Sequence, residues 1–338
     1  MISKVLLVGG CGFIGHNLAL FLKKKLLLPI VIDSLTINNL KSKELFDKKS
    51  DLNTKLYRSI LKNRISLLKD NDIKLIKEDT RHDKKINDLY NTIKPDLIIH
   101  LAAVSHANKS NIDPHTTFDN SIRTLENTLE YARINKTHLI YISSSMVYGN
   151  FDSKVVNEDT VCNPIGVYGT LKYCGELMVK SYSEIFGFPY TIIRPSALYG
   201  ERCVSRRVTQ VFIENALTNK ELKILGDGDE KLDFTYIEDL MNGIYSCINN
   251  EKAKNQIFNI TYGNARKIKD LKEILKKFFP KIKIKNFPRD KLMPERGTLD
   301  ISKAKDLLDY EPKNVLDEGF RKYIEWYINF YKNLNIKI

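Results

Sequence analysis

Lys4-Val5-Leu6-Leu7-Val8-Gly9-Gly10-Cys11-Gly12-Phe13-Ile14-Gly15 is the stretch on which the fold turns. Its branched apolar residues read as a buried strand, and the small residues that follow open into a helical pattern from Phe13 to Leu26. Glycines let a chain turn tightly and let its N–H groups approach a pyrophosphate, whose charge the next helix N-terminus favours. Such a string is weak evidence alone. Between a strand and a helix it predicts a dinucleotide site built by Gly9, Gly12, Phe13, Ile14 and Gly15. Asp33 closes the second strand 18 residues after Gly15. A carboxylate there accepts from both adenosine ribose hydroxyls and repels a 2′-phosphate, so NAD is expected over NADP. The same side chain could instead cap the following turn.

Outward from this unit, apolar runs at Ile30–Asp33, Ile73–Lys77, Asp96–His100, Leu139–Ser143 and Tyr190–Arg194 alternate with helical stretches such as Phe118–Asn135. Strict alternation of strand and helix predicts an α/β fold, a doubly wound parallel sheet of the Rossmann type, over residues 1–194. The polar segment 36–71 is longer than a crossover needs and reads as an inserted helical excursion. Asp79 and Thr80, and Leu101, Ala102 and Ala103, follow the third and fourth strands, where the adenine and the nicotinamide-side ribose would lie. After Arg194 prolines and glycines break the pattern. Residues 195–338 therefore read as a smaller C-terminal α+β lobe for substrate, with some segments returning to the first domain and closing helices at Ile301–Leu308 and Leu316–Tyr331.

The bulk numbers exclude more than they assign. A chain of 338 residues, 43% apolar and 28% charged, is globular in composition and long enough for one large domain with a satellite. The net charge of +13 comes from scattered lysines, with runs such as Lys23-Lys24-Lys25 inside helical patterns, so it does not indicate a nucleic-acid partner. No apolar stretch approaches the ~20 residues that span a bilayer, and no membrane association is expected. Five widely spaced cysteines without C-x-x-C or a histidine at metal spacing predict buried thiols, no metal, and a cytoplasmic location.

Tyr168 and Lys172 stand four residues apart, on one face of a helix. A phenol ordinarily titrates near ~10, and a cation held close favours its charged form. Ser144, near the end of the preceding strand, can hydrogen-bond the same substrate hydroxyl. Such a trio, downstream of a dinucleotide site, suits proton removal from an alcohol whose carbon gives a hydride to the nicotinamide.

GGCGFIG, Asp33, HLAAVSH, SSSMVYG, YGTLK, RPSALYG, GDG and RGTLD together resemble the extended short-chain dehydrogenase/reductases, specifically the NAD-dependent epimerase/dehydratase family, over nearly the whole chain. The resemblance implies Tyr168 as acid/base, Lys172 on the nicotinamide ribose, and Ser144, four residues before Tyr148, as the third catalytic member. It also implies a nucleotide-diphosphate sugar as substrate, UDP favoured, and a homodimer. Dehydratases of the family carry Asp-Glu where this chain has Ser145 and Met146, and a thioether cannot move a C5 proton. What remains is 4-epimerisation through a transient 4-keto sugar. The alternatives are a C4 dehydrogenase or reductase of the same fold and a non-catalytic NAD-sensing protein. Segment 36–71 and the serines at 143–145, whose hydroxyls could hold a carboxylate, resemble the uronate 4-epimerase branch.

Arg296 and Asp300 resemble the family pair that grips phosphate and ribose, and Leu222–Gly228 resembles the stretch that contacts the base. The usual arginine after GDG is Leu232 here, and Lys231 would point to the other side of its strand. Either Arg206, Arg207 or Arg266 takes over part of the grip, or the donor is not a standard UDP-sugar. Arg206 and Arg207 could equally be a solvated helix start. Ser105, Ser145, Asn120 and His106 are further substrate-pocket candidates.

Overall fold

Val5, Leu6, Leu7 and Val8 of β1 (Lys4–Val8) are fully buried, as a strand covered on both faces must be. The computed structural model describes residues 2–42, 53–105, 107–151, 153–289 and 294–334. β1 is followed by α1 (Phe13–Lys24), β2 (Leu28–Ile32), α2 (Thr54–Asp70), β3 (Lys74–Ile76), α3 (Asp83–Ile93) and β4 (Leu97–His100). Next come short helices α4 (Ala107–Ile112) and α5 (Pro114–Phe118), a π-helical turn (Asp119–Arg123), α6 (Thr124–Asn135) and β5 (His138–Ile142). The chain continues through β6 (Val155–Val156), α7 (Gly166–Phe186), β7 (Tyr190–Arg194), β8 (Leu198–Tyr199), α8 (Val208–Leu217), β9 (Leu222–Leu225), β10 (Lys231–Leu232) and β11 (Thr235–Tyr236). It ends with α9 (Ile237–Cys247), β12 (Gln256–Asn259), β13 (Arg266–Lys267), α10 (Ile268–Phe278), β14 (Ile284–Phe287), β15 (Thr298–Leu299), α11 (Ser302–Leu308) and α12 (Leu316–Asn333).

Seven strands form one sheet in the order β12-β7-β5-β4-β1-β2-β3, every neighbouring pair parallel. Leu6 of β1 stands opposite Ile30 on one side and Ile98 on the other. The winding reverses between β1 and β4, which opens a crevice at the carboxyl ends of these strands. Helices cover both faces, as the alternating pattern predicts. β12 comes from beyond residue 195 and takes the sheet edge beside β7, while four two-stranded pairs, β8/β11, β9/β14, β10/β13 and β6/β15, build the remainder.

The segment expected as an excursion contains the crossover itself. Leu56, Tyr57, Ile60, Leu61 and Leu68 place one face of α2 in the core, where it packs against α1 and joins β2 to β3. The polar composition belongs to its other face and to residues before it, of which 43–52 lie outside the described residues. Cys11, Cys203 and Cys247 are buried as expected, whereas Cys162 and Cys174 are only partly covered. Burial pushes the Cys247 thiol up to about 12. No group of metal-ligating side chains occurs among the described residues, and no helix there is long and apolar enough to cross a membrane.

Candidate active site

The glycine string packs flush against the end of β4. Gly9 has φ +79°, and a Cβ on it would lie 2.7 Å from the backbone nitrogen of Ala102. A Cβ on Gly15 would lie 2.5 Å from Cα of Gly10, so the loop closes only with both hydrogens. Gly12 is the N-cap of α1 and offers no capping side chain, which leaves the helix start open to an anion. Gly9, Gly12, Phe13, Ile14, Gly15, Asp33, Asp79, Thr80, Leu101, Ala102, Ala103 and Ser105 all border one groove of about 140 Å³.

Asp33 accepts from Cys11 N through Oδ2 at 2.9 Å and from Leu35 N through Oδ1 at 2.7 Å. Burial raises its pKa, and these backbone donors work in the opposite direction. Each oxygen keeps a second lone pair, so capping the turn and receiving a ribose are compatible. Asp79 is committed to Arg81, whose Nη2 lies 2.6 Å from Oδ2 and whose hydrogen bonds hold the carboxyl below its ordinary range. Arg64, buried on the apolar face of α2, donates to the carbonyls of Cys11 (3.3 Å) and Arg202 (3.0 Å) and so braces the glycine loop from below. The sequence reading missed it. The available signal was a cation at a core-face position, three and four residues after Leu61 and Ile60.

Tyr168, Lys172 and Glu176 follow at four-residue intervals on the buried face of α7. Lys172 Nζ donates to Ile142 O at 2.7 Å and stands 4.9 Å above the Tyr141 ring. Burial pushes its pKa down to about 8, against the opposing pull of Glu176. Glu176 pairs with Arg194 at 2.7 Å, both side chains nearly inaccessible, and accepts from Ser143 Oγ at 2.5 Å. Arg194 in turn donates to Tyr148 O–H at 2.9 Å, which donates to Asn259 Oδ1 at 2.8 Å. This network fixes the strand ends from which the site is presented. Ser144 opens a 3₁₀ turn (Ser145–Tyr148), its Oγ accepting from Met146 N at 3.2 Å.

Ser144, Ser145, Met146, Tyr168 and Lys172 border a cavity of about 810 Å³ that Arg206, Arg207 and Arg296 also border. Ile14, Leu101, Ala103, Ser105, Leu198 and Arg207 border both this cavity and the groove, so the two open into each other. Arg296 donates to Ser145 Oγ, approaches Met146 Sδ through Nη1, and lies 5.0 Å over the Phe151 ring. Its buried Nε has no partner among the described residues. Burial and the nearby Arg207 push its pKa down to about 10.

Several expected positions fall elsewhere. Arg266 does not border the cavity, because its guanidinium is held by Asp270 at 2.8 Å and Asp317 at 3.1 Å. Asp300 is likewise outside it: its Oδ1 accepts from Ser302 N at 2.7 Å at the start of α11. Lys231 and Leu232 of the two-residue β10 both border the cavity. Asn120 borders the dinucleotide groove instead of the larger cavity, its amide donating to Thr116 O at 2.8 Å. Ser143 gives its hydroxyl proton to Glu176, whereas Ser144 and Ser145 accept from Met146 N and Arg296 and keep their own protons as donors. His106 lies outside the described residues.

Residues 5–261 match the model of the NAD dependent epimerase/dehydratase family. A putative UDP-glucose 4-epimerase of Methanocaldococcus jannaschii is 30% identical over 96% of this chain and 98% of its own length. A UDP-glucuronate 4-epimerase of Thermodesulfobacterium geofontis is 26% identical over 95% of each. Among solved structures, the UDP-glucuronic acid 4-epimerase of Bacillus cereus, in complex with UDP-glucuronic acid and NAD, superposes with a TM-score of 0.86 at 28% identity, over 97% of this chain and all of that one.

Proposed function

From the premise that the chain belongs to the NAD-dependent epimerase/dehydratase family, we propose that it is a nucleotide-sugar 4-epimerase acting on a UDP-hexose or UDP-hexuronate through a transient 4-keto sugar. The observation that carries this reading is the single cavity in which Ser144, Tyr168 and Lys172 face a pair of arginines, Arg207 and Arg296, and which opens into the glycine-lined groove. NAD suits that groove: the loop would not close with a Cβ on Gly9 or Gly15, the start of α1 is uncapped, and Asp33 stands at the end of β2. When bound, NAD supplies a hydride acceptor and donor for the sugar C4.

In this reading Tyr168 takes the O4 proton and later returns it, with Ser144 hydrogen-bonded to the same oxygen. Lys172 is a cation below pH 8, because burial has brought its pKa to about 8, and it stabilises negative charge on the phenol oxygen. Arg207 and Arg296 give the diphosphate the planar bidentate donors it needs. Met146 supplies no carboxyl group for a C5 proton, which argues against dehydration. The homodimer and a cytoplasmic location belong to the same proposal. The first is supported by Ile112, Leu177 and Ile185, which leave 84%, 48% and 69% of their surface exposed on the contacting helices α4 and α7.

Purified protein incubated with UDP-glucose, UDP-glucuronate and their N-acetyl counterparts, without added cofactor, tests the proposal by NMR. An epimeric sugar without net NADH supports it. Net oxidation that needs added NAD indicates the dehydrogenase reading, and recovery of every sugar unchanged contradicts both.

A further inference from the structure

The turn before α8 is held in an unfavourable shape by side chains that touch neither cavity. Arg206 has φ +51°, a left-handed conformation that costs a non-glycine residue of order 1 kcal/mol. Its backbone N–H donates to Gln210 Oε1 at 2.8 Å. Gln210 is completely buried, and its Nε2 donates to Tyr57 O–H at 2.7 Å and to Glu214 Oε1 at 2.8 Å. Tyr57, from α2, has one proton and gives it to Glu214, with its oxygen 3.0 Å from Oε2. Tyr327 of α12 donates to the same carboxylate at 2.9 Å. Every donor and acceptor in this chain has one consistent direction: Glu214 orders Tyr57, the two together orient the Gln210 amide, and its carbonyl oxygen fixes Arg206. The next residue, Arg207, is the extended N-cap of α8, and it borders both the groove and the larger cavity.

We infer that Tyr57, Gln210 and Glu214 are positioning residues that set Arg207 for the substrate diphosphate, so that the crossover helix α2 tunes substrate affinity from outside the site. This rests on the nucleotide-sugar reading above. Apolar replacement of Tyr57 removes one of the two acceptors that orient the Gln210 amide and leaves Glu214 alone to hold it, so the anchor of the Arg206 turn is weakened. The signature of such a role is coupling to Arg207, which a general loss of stability does not produce.

The test measures UDP binding by calorimetry, and KM and kcat with the turned-over sugar, for wild type, Tyr57→Phe, Gln210→Met, Arg207→Ala and Tyr57→Phe/Arg207→Ala. Thermal unfolding confirms that each variant is folded. Tyr57→Phe is expected to weaken UDP binding and raise KM roughly fivefold, the worth of about one hydrogen bond, with kcat changed less than about twofold. Gln210→Met does the same in a chain that keeps Tyr57. In the Arg207→Ala background, Tyr57→Phe is expected to add less than about twofold. Multiplication of the two single effects in the double variant, or equal loss of kcat and affinity in Tyr57→Phe, would overturn the inference and leave the epimerase reading standing. Wild-type protein that binds no UDP would overturn that reading and this inference with it.

Discussion

Lys172→Met exchanges a buried cation for an apolar chain of similar length, and it should make the nucleotide-free protein more stable while destroying the site. In the folded chain the lysine pKa is about 8 against an ordinary 10.5, with burial as the leading cause. Holding the charge at neutral pH therefore costs about 3 kcal/mol. Methionine removes that cost but loses the hydrogen bond to Ile142 O and the contact over Tyr141, together worth about 1–2 kcal/mol. The variant should gain about 1–2 kcal/mol at pH 7. The sign with pH follows from the depressed pKa. Between about pH 8 and 10.5 the unfolded chain binds a proton that the folded chain has released, so wild-type stability rises across this window. The variant lacks that rise, and its advantage should fall by about 2 kcal/mol between pH 7 and 9.5. Urea unfolding of both proteins at the two pH values measures this. A variant less stable than wild type at pH 7, or an advantage unchanged at pH 9.5, would refute the reasoning that burial is what perturbs Lys172.

Glu176→Gln leaves Arg194 buried beside a neutral amide and should lower stability by about 3 kcal/mol in denaturant unfolding, since breaking one half of a buried pair strands the other charge. An effect below about 1 kcal/mol would show that Tyr148 and the Glu158 carbonyl satisfy the guanidinium. Asp33→Ala should narrow the preference for NAD over NADP by about tenfold or more in titrations of the nucleotide-free protein, and equal affinity for both in the wild type would contradict the role given to its carboxylate. Arg266→Ala should leave KM within about twofold and cost at most about 1 kcal/mol of stability, because the residue serves two surface ion pairs. A tenfold rise in KM would return it to the substrate site.

The doubly wound sheet was legible because its signals are local: apolar runs of strand length, helical periodicity between them, and a glycine string whose close packing admits no Cβ. That Ser144, Tyr168 and Lys172 border one cavity was legible as far as spacing reaches, since positions four apart on a helix share a face and the serine follows the end of the adjoining strand. Assigning cations to the second cavity was harder. Arg266 and Asp300 have suitable identities and neighbours in sequence, yet each is drawn off by a partner that one-dimensional spacing cannot rank: Asp317 lies 51 residues from Arg266, and the backbone N–H of Ser302 engages the Asp300 carboxylate. Arg64 was concealed for the opposite reason. Its helix looked polar overall, so a single cation on the apolar face passed as part of a solvated surface. The link between α2 and the Arg206 turn spans 153 residues at the Gln210–Tyr57 contact, and no local pattern encodes it.

In the proposed reaction the phenol oxygen of Tyr168 is the group that moves the sugar O4 proton. Tyr168→Phe, assayed with the sugar that the wild type interconverts, should lose roughly 10³-fold in kcat while UDP and NAD bind within about twofold of wild type. Turnover within tenfold of wild type would contradict it, because a ring without its oxygen has no proton to exchange.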